Sequence, residues 1–88
     1  MQFPFTETKD GQYFIREFSK DTPQDELVWH RDREDRIVES LHPTDWKVQI
    51  DDELPSTLDK PIFIQKEVYH RVIKGSGNLI IKLQKLPD

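Results

Sequence analysis

The chain has 88 residues, of which 34% are hydrophobic and none is cysteine. This length provides one small domain with a limited core, and the lack of cysteine excludes disulfide bonds, thiolate nucleophiles and cysteine-ligated zinc. Thirteen basic and seventeen acidic residues give a formal net charge of −4, which argues against nucleic acid or an anionic membrane surface as a partner. We expect a soluble cytoplasmic protein, because the sequence has no apolar run of membrane-spanning length and its first residues do not follow a signal-peptide pattern.

The first predicted element is a β-hairpin over residues 2–18. Asp10 and Gly11 lie between two runs that are rich in aromatic residues, and Asp-Gly between strand-forming runs is typical of a tight turn between antiparallel strands. Pro23 then interrupts the chain, because proline lacks a backbone donor. A further strand is predicted over residues 26–30, where Leu, Val and Trp follow one another.

Short strands continue along the rest of the chain. Trp46, Val48 and Ile50 alternate with polar residues, and a period of two predicts a strand with one buried face. The Gly-Ser-Gly-Asn sequence at 75–78 predicts a turn between the last two strands. About eight strands and no helix indicate an all-β sandwich or barrel. The other predicted strands cover residues 36–41, 62–64, 68–73 and 79–83.

Two histidines and one aspartate are candidate metal ligands. His30 and Asp32 are two positions apart on the strand that starts at residue 26, so their side chains share one face, and His70 shares a face with Val68 and Val72 for the same reason. Two imidazoles and a carboxylate form the facial ligand set of non-haem Fe(II) sites. The sequence therefore predicts a site for a divalent transition metal (iron, manganese, nickel or zinc), and no organic cofactor is evident.

These residues resemble the two metal-binding motifs of the cupin superfamily. The first motif, His-x-His followed by Glu, is similar to residues 30–32 (His-Arg-Asp) and Arg36, and the second, Pro-x-Gly followed by His, is similar to residues 65–67 (Gln-Lys-Glu) and His70. The resemblance covers about residues 26–83 and implies a single cupin-like domain over 1–88. Its fold would be a double-stranded β-helix, or jelly-roll barrel. Asp32 replaces the second histidine and Arg36 the glutamate, so three ligands stand where cupins have four.

Candidate pocket residues lie close to these motifs. We predict that the mouth of the barrel admits a small molecule and is lined by Trp29, Arg36, Trp46 and Tyr69. Aromatic residues on strands also pack commonly in cores or along edges.

The candidate ligands have structural interpretations as well. The two histidines can be partly buried residues whose ring nitrogens meet backbone carbonyl groups. Asp32 can pair with Arg36 or Arg71, since an inward-facing carboxylate needs a partner.

Several functions therefore remain open. The first is a small cupin-like protein that binds a transition metal and a small molecule in the barrel, with the reaction unknown and enzymatic activity undecided. The second is a metal-free cupin-like module that binds a ligand or a protein, and the third is a minimal Fe(II)-dependent oxygenase-like protein in which Lys82 holds a cosubstrate carboxylate. A homodimer is expected because a small barrel leaves strand edges to cover. A purely structural dimer, in which residues 3–5 complete a partner's sheet, is a further alternative.

Overall fold

Short antiparallel strands make up most of the computed structural model, which describes residues 4–87. In this part of the chain a single 3-10 turn, Gln24–Glu26, accompanies the strands, and no α-helix is present. The prediction of an all-β protein is therefore confirmed. The strands are β1 (Phe5–Asp10), β2 (Tyr13–Phe18), β3 (Arg36–Ser40), β4 (Lys47–Ile50), β5 (Ser56–Thr57), β6 (Ile62–Ile64), β7 (His70–Ile73) and β8 (Leu79–Lys85).

The eight strands form two antiparallel sheets. The larger sheet has the order β1-β2-β8-β3-β6, and the smaller has the order β5-β4-β7. Neither sheet closes on itself over the described residues, so the structure contains two open sheets instead of one closed barrel. Within residues 4–87, no helix is long and apolar enough to cross a membrane.

The N-terminal hairpin forms as predicted, although residues 2 and 3 of the predicted range lie outside the described part. β1 and β2 pair from Phe5 with Phe18 to Asp10 with Tyr13. Gly11 adopts a φ of +64°, and an added Cβ there would meet nothing within 4 Å. The turn therefore needs glycine for its left-handed backbone conformation and not for space.

The core lies between the two sheets. Leu79, Ile81 and Leu83 alternate along β8 and are almost fully buried, because β8 lies between β2 and β3 and turns every second side chain inward. Trp46, at the start of the period-two pattern in β4, is 0% exposed, and its Nε1–H donates to the Gly77 carbonyl at 3.1 Å. This tryptophan is therefore a core residue with a satisfied donor.

Residues 26–30 do not form the strand that their composition predicts. The chain instead makes the 3-10 turn directly after Pro23, and only His30 pairs, through an isolated bridge to His70. The Gln24 side chain supplies a second attachment, because its amide donates to the Val72 carbonyl at 3.1 Å and accepts from the Lys74 N–H at 2.8 Å. Segment 24–30 therefore runs along β7 and is attached near both ends.

A short strand that the sequence pattern does not predict lies between β4 and β6. β5 contains only Ser56 and Thr57, which pair with Val48 and Lys47 of β4 directly after Pro55. A two-residue strand is too short for its own sequence pattern, so its partner strand determines its position.

Candidate metal centre

His30 and His70 are brought together by the backbone. Each residue donates its N–H to the carbonyl of the other, at 2.9 Å for His30 and 2.8 Å for His70. Their rings lie 4.3 Å apart between centroids and are inclined by 61°. The segments that carry these two histidines are therefore neighbours, although the segment with His30 contributes a single bridge and not a strand.

Both imidazoles are held by the same local hydrogen bond. Nδ1 of His30 lies 3.0 Å from the carbonyl oxygen of Val28, and Nδ1 of His70 lies 3.0 Å from that of Val68. Because a carbonyl oxygen only accepts, each Nδ1 must carry the proton. In the neutral ring Nε2 then has a free lone pair, and this is the tautomer that a histidine bound to metal through Nε2 requires.

The Asp32 carboxylate lies against both His70 and Arg36. Its Oδ2 is 3.1 Å from His70 Nε2 and 3.3 Å from Arg36 Nη1. Neither contact has the geometry of a hydrogen bond, and within residues 4–87 this oxygen is the one fully buried side-chain N or O atom that lacks one. A buried carboxylate oxygen without a hydrogen bond is costly, so the atom needs a proton donor or a cation.

The tautomer of His70 also bears on the need of Asp32 Oδ2 for a proton donor or a cation. With the proton on Nδ1, Nε2 of His70 has no hydrogen to donate to Asp32 Oδ2, which lies 3.1 Å away. A cation bound to both atoms would satisfy them. One ligand atom from each of His30, Asp32 and His70 lies within 4.8 Å of the others. The residues therefore fit a metal ion by donor type, tautomer and spacing.

The ionisation of the site also favours metal binding. Burial lowers the pKa of His30 below its ordinary value, and the neighbouring His70 lowers it further. Burial raises the pKa of Asp32, but contact with the His70 ring and the charge of Arg36 together outweigh burial, so the pKa lies below its usual value. A neutral imidazole and an ionised carboxylate are the forms that bind a cation.

Arg36 connects the site to Glu34. Its Nε and Nη2 lie 3.2 Å and 2.8 Å from Glu34 Oε1, so the ion pair with Asp32 uses the remaining nitrogen, Nη1. The predicted pairing of Asp32 with arginine therefore involves Arg36. Arg71 instead donates to Gln49 Oε1 and lies on a different face.

A cavity of about 530 Å³ adjoins the candidate metal ligands. Its lining includes His30, Asp32, His70 and Arg36, and most of the other lining residues are apolar side chains from both sheets. A volume of this size and a mainly apolar wall are typical of small-molecule sites.

The predicted pocket residues fall into two groups. Arg36 lines the cavity, but Trp29, Trp46 and Tyr69 are not among its lining residues. Trp29 and Tyr69 each precede one of the bridged histidines, and they are 41% and 45% exposed. Both histidines line the cavity, and neighbouring side chains of extended backbone point to opposite faces, so these rings point away from it. Arginines cover both rings from outside: Arg71 lies 4.8 Å from the Trp29 centroid and Arg31 lies 5.5 Å from that of Tyr69.

Most of the cavity wall consists of residues that the sequence motifs do not indicate. Buried residues of β8 such as Leu79, Ile81 and Leu83 line it, and their period-two pattern was the available signal. The same alternation places Lys82 on the opposite face, where it pairs with Glu39 at 3.2 Å. Lys82 therefore cannot hold a cosubstrate carboxylate in this cavity.

The third histidine of the chain has a different environment. Nδ1 of His42 lies 2.9 Å from the Pro43 carbonyl oxygen, and Nε2 accepts the backbone N–H of Ile80 at 2.9 Å. One neutral tautomer satisfies both contacts. His42 is therefore a structural histidine, with no ring nitrogen left for a metal ion.

Comparison with known proteins supports the fold. No family model matches the sequence, and no curated protein is similar to it. The crystal structure of protein NMB1881 from Neisseria meningitidis is similar to this chain, with a TM-score of 0.60 and 13% sequence identity. The similarity covers 99% of this chain and 87% of that one. At this level of identity it concerns the fold alone.

Proposed function

We propose that this protein is a small cupin-like metal-binding protein. Nε2 of His30, Nε2 of His70 and the carboxylate of Asp32 would hold one divalent transition-metal ion, and the adjoining cavity would hold a small molecule. The observation that carries the proposal is the contact between His70 Nε2 and Asp32 Oδ2, 3.1 Å apart with the proton placed on Nδ1. Two imidazoles favour iron, manganese, nickel or zinc over calcium and magnesium.

The chemistry follows from the number of protein ligands. Three ligands leave coordination positions for water or a small molecule, and a divalent ion in such a site polarises a bound oxygen as a Lewis acid. The chain's own residues prepare the site, because the Val28 and Val68 carbonyls orient the two imidazole rings. The two sheets around a cavity and the position of these ligands in the cupin-like motifs support the cupin-like assignment.

A metal-free ligand-binding module is the second candidate. It is favoured by the ion pair of Arg36 with Asp32 at 3.3 Å, because this cation already offsets part of the carboxylate charge. In that case Arg36 would be the cationic partner of Asp32. Metal affinity distinguishes the two functions.

The test is a calorimetric titration of untagged, metal-depleted protein with Ni(II), Zn(II) and, without oxygen, Fe(II). We expect one ion per chain, and we expect His70→Ala to weaken binding by more than about 100-fold, since even residues that only support metal ligands contribute about 10–100-fold. His42→Gln is the matched control, because it removes a histidine whose nitrogens are already satisfied. Equal, weak heats for the wild type and His70→Ala would reject the metal site and favour the metal-free module.

We also propose that two chains associate as a symmetric dimer. β1 lies at one edge of the five-stranded sheet and pairs with β2 on its inner side, and an unpaired edge is a ready site for strand addition. Sedimentation should show a dimer in the micromolar range. A monomer at high micromolar concentration would contradict this.

A further inference from the structure

We infer that the cavity ligand is a small monocarboxylate with an apolar body, and that Arg36 anchors its carboxylate group beside the metal ion. This inference rests on the proposed metal site. It adds the chemical class of the ligand and assigns a binding role to Arg36.

The cavity has a polar part and an apolar part. The candidate metal ligands and Arg36 adjoin one another along its wall. Elsewhere the wall is largely made of buried aliphatic side chains, for example Val38, Leu58 and Ile64. A ligand that fills such a cavity has one polar end and an apolar body, because a polar group against the aliphatic wall would lose its hydrogen bonds with water.

The charge of the polar part selects an anion. Asp32 is the one carboxylate among the three metal ligands, so a divalent ion bound to them keeps a net positive charge of one. The charge of Arg36 is offset by Glu34, which accepts hydrogen bonds from its Nε and Nη2. The two other charged residues of the lining, Arg16 and Glu26, carry opposite charges. An anionic head group would therefore neutralise the remaining charge, whereas an ammonium group would increase it.

The geometry of Arg36 gives that anion a donor. Glu34 holds Nε and Nη2 and so fixes the plane of the guanidinium group. Nη1 lies 3.3 Å from Asp32 Oδ2, directly beside the ligand cluster, and this ion-pair contact is not a hydrogen bond. An arginine that is oriented in this way is suited to a carboxylate.

The test compares three probes with eight-carbon chains: octanoate, 1-octanol and octylamine. Calorimetry first measures the zinc stoichiometry of each protein and then measures binding of each probe to the zinc-loaded form. We expect octanoate to bind the wild type at least about 10-fold more tightly than 1-octanol, because a hydrogen bond to a charged group contributes about 10-fold or more in affinity. Octylamine should bind more weakly than 1-octanol.

Two arginine variants test the assignment of the anchor. Arg36→Gln should lower octanoate affinity by about 10–100-fold while leaving 1-octanol affinity unchanged. Arg16→Gln is the matched control, because Arg16 also lines the cavity but bonds to Glu7 through Nε. If Arg16→Gln, and not Arg36→Gln, removed the preference for octanoate, the assignment of Arg36 as the carboxylate anchor would be wrong.

The failures of the two proposals can be told apart. A wild type that binds zinc but binds octanoate and 1-octanol equally would overturn the inference and leave the metal site standing. A wild type that binds no zinc would overturn both. The comparison of probes on the wild type decides the ligand class even where Arg36→Gln does not fold, and Arg36→Lys, which keeps the charge without the planar group, provides a second variant.

Discussion

His42 and Ile80 are joined by a hydrogen bond in which the backbone N–H of Ile80 donates to Nε2 of His42 at 2.9 Å. Nδ1 faces a backbone carbonyl in all three rings, but no backbone N–H donates to Nε2 of His30 or His70 within residues 4–87. The three histidines of the chain therefore divide into one structural residue and two candidate ligands. The hydrogen bond that occupies Nε2 of His42 separates them.

His42→Ala should destabilise the fold without altering metal affinity. Removing the ring leaves the Ile80 N–H without its acceptor, which costs about 1–3 kcal/mol when the group is buried. Urea unfolding of the metal-free protein measures the loss. His42→Gln is the partial rescue, since its amide oxygen is also an acceptor, and a stability loss as large as that of His42→Ala would argue against the hydrogen bond as the cause.

The hydrogen bonds between Asp45 and Ser76 should make stability depend on pH in the acid range. Asp45 accepts from the Ser76 N–H at 2.8 Å and from its hydroxyl at 2.9 Å, and these two bonds hold the pKa of Asp45 below its ordinary value. A carboxyl whose pKa is lower in the folded state stabilises the fold above its unfolded pKa, and that contribution is lost as pH falls through the folded pKa.

Asp45→Asn provides the measurement for this pH dependence. The free energy of unfolding of the wild type should exceed that of the variant at neutral pH, and the difference should shrink from about pH 5 down to about pH 3. Asp51→Asn, in the exposed 51–53 turn, is the control. A difference that stays constant across this range would contradict the assignment.

Gly75→Ala should be strongly destabilising. A Cβ at residue 75 would lie 2.3 Å from Asp45 Oδ1, 2.7 Å from the Trp46 backbone nitrogen and 2.8 Å from the Asp45 carbonyl carbon. Because two of these atoms are backbone, the chain itself must move, at a cost of about 1–3 kcal/mol. Thermal unfolding of the wild type and the variant measures this loss of stability. Leu54→Ala, at an 86% exposed position, is the control. An equally small effect of both substitutions would show that the backbone around residue 75 moves at little cost and would contradict the prediction.

Period-two patterns were the most informative feature of the sequence. They located β4 and placed His70 on one face with Val68 and Val72, because alternation is a local property of a strand. A short apolar run after the Gly-Ser-Gly-Asn turn located β8. The Asp-Gly turn likewise located the first hairpin. These features depend only on neighbouring residues, and the structure agrees with each of them.

Features that depend on contacts between residues far apart in the chain were harder to predict from the sequence. The strand expected at 26–30 is replaced by an attachment to β7 through Gln24 and His30, which no local pattern specifies. The tertiary environment likewise decided that Trp46 packs in the core while Trp29 lies outside. Whether the strands form one closed sheet or two open ones depends on long-range pairing, which periodicity does not determine.

Nitrogen NMR of the imidazole rings tests the central claim most directly, because it reads the protonation and the metal bond of each ring nitrogen. Long-range ¹H–¹⁵N spectra of the metal-free protein should show the proton on Nδ1 in His30 and His42. On addition of one equivalent of Zn(II), the Nε2 signals of His30 and His70 should shift together, while both nitrogens of His42 keep their positions. Unchanged Nε2 signals in His30 and His70, or equal shifts in all three histidines, would contradict a metal site formed by His30, Asp32 and His70.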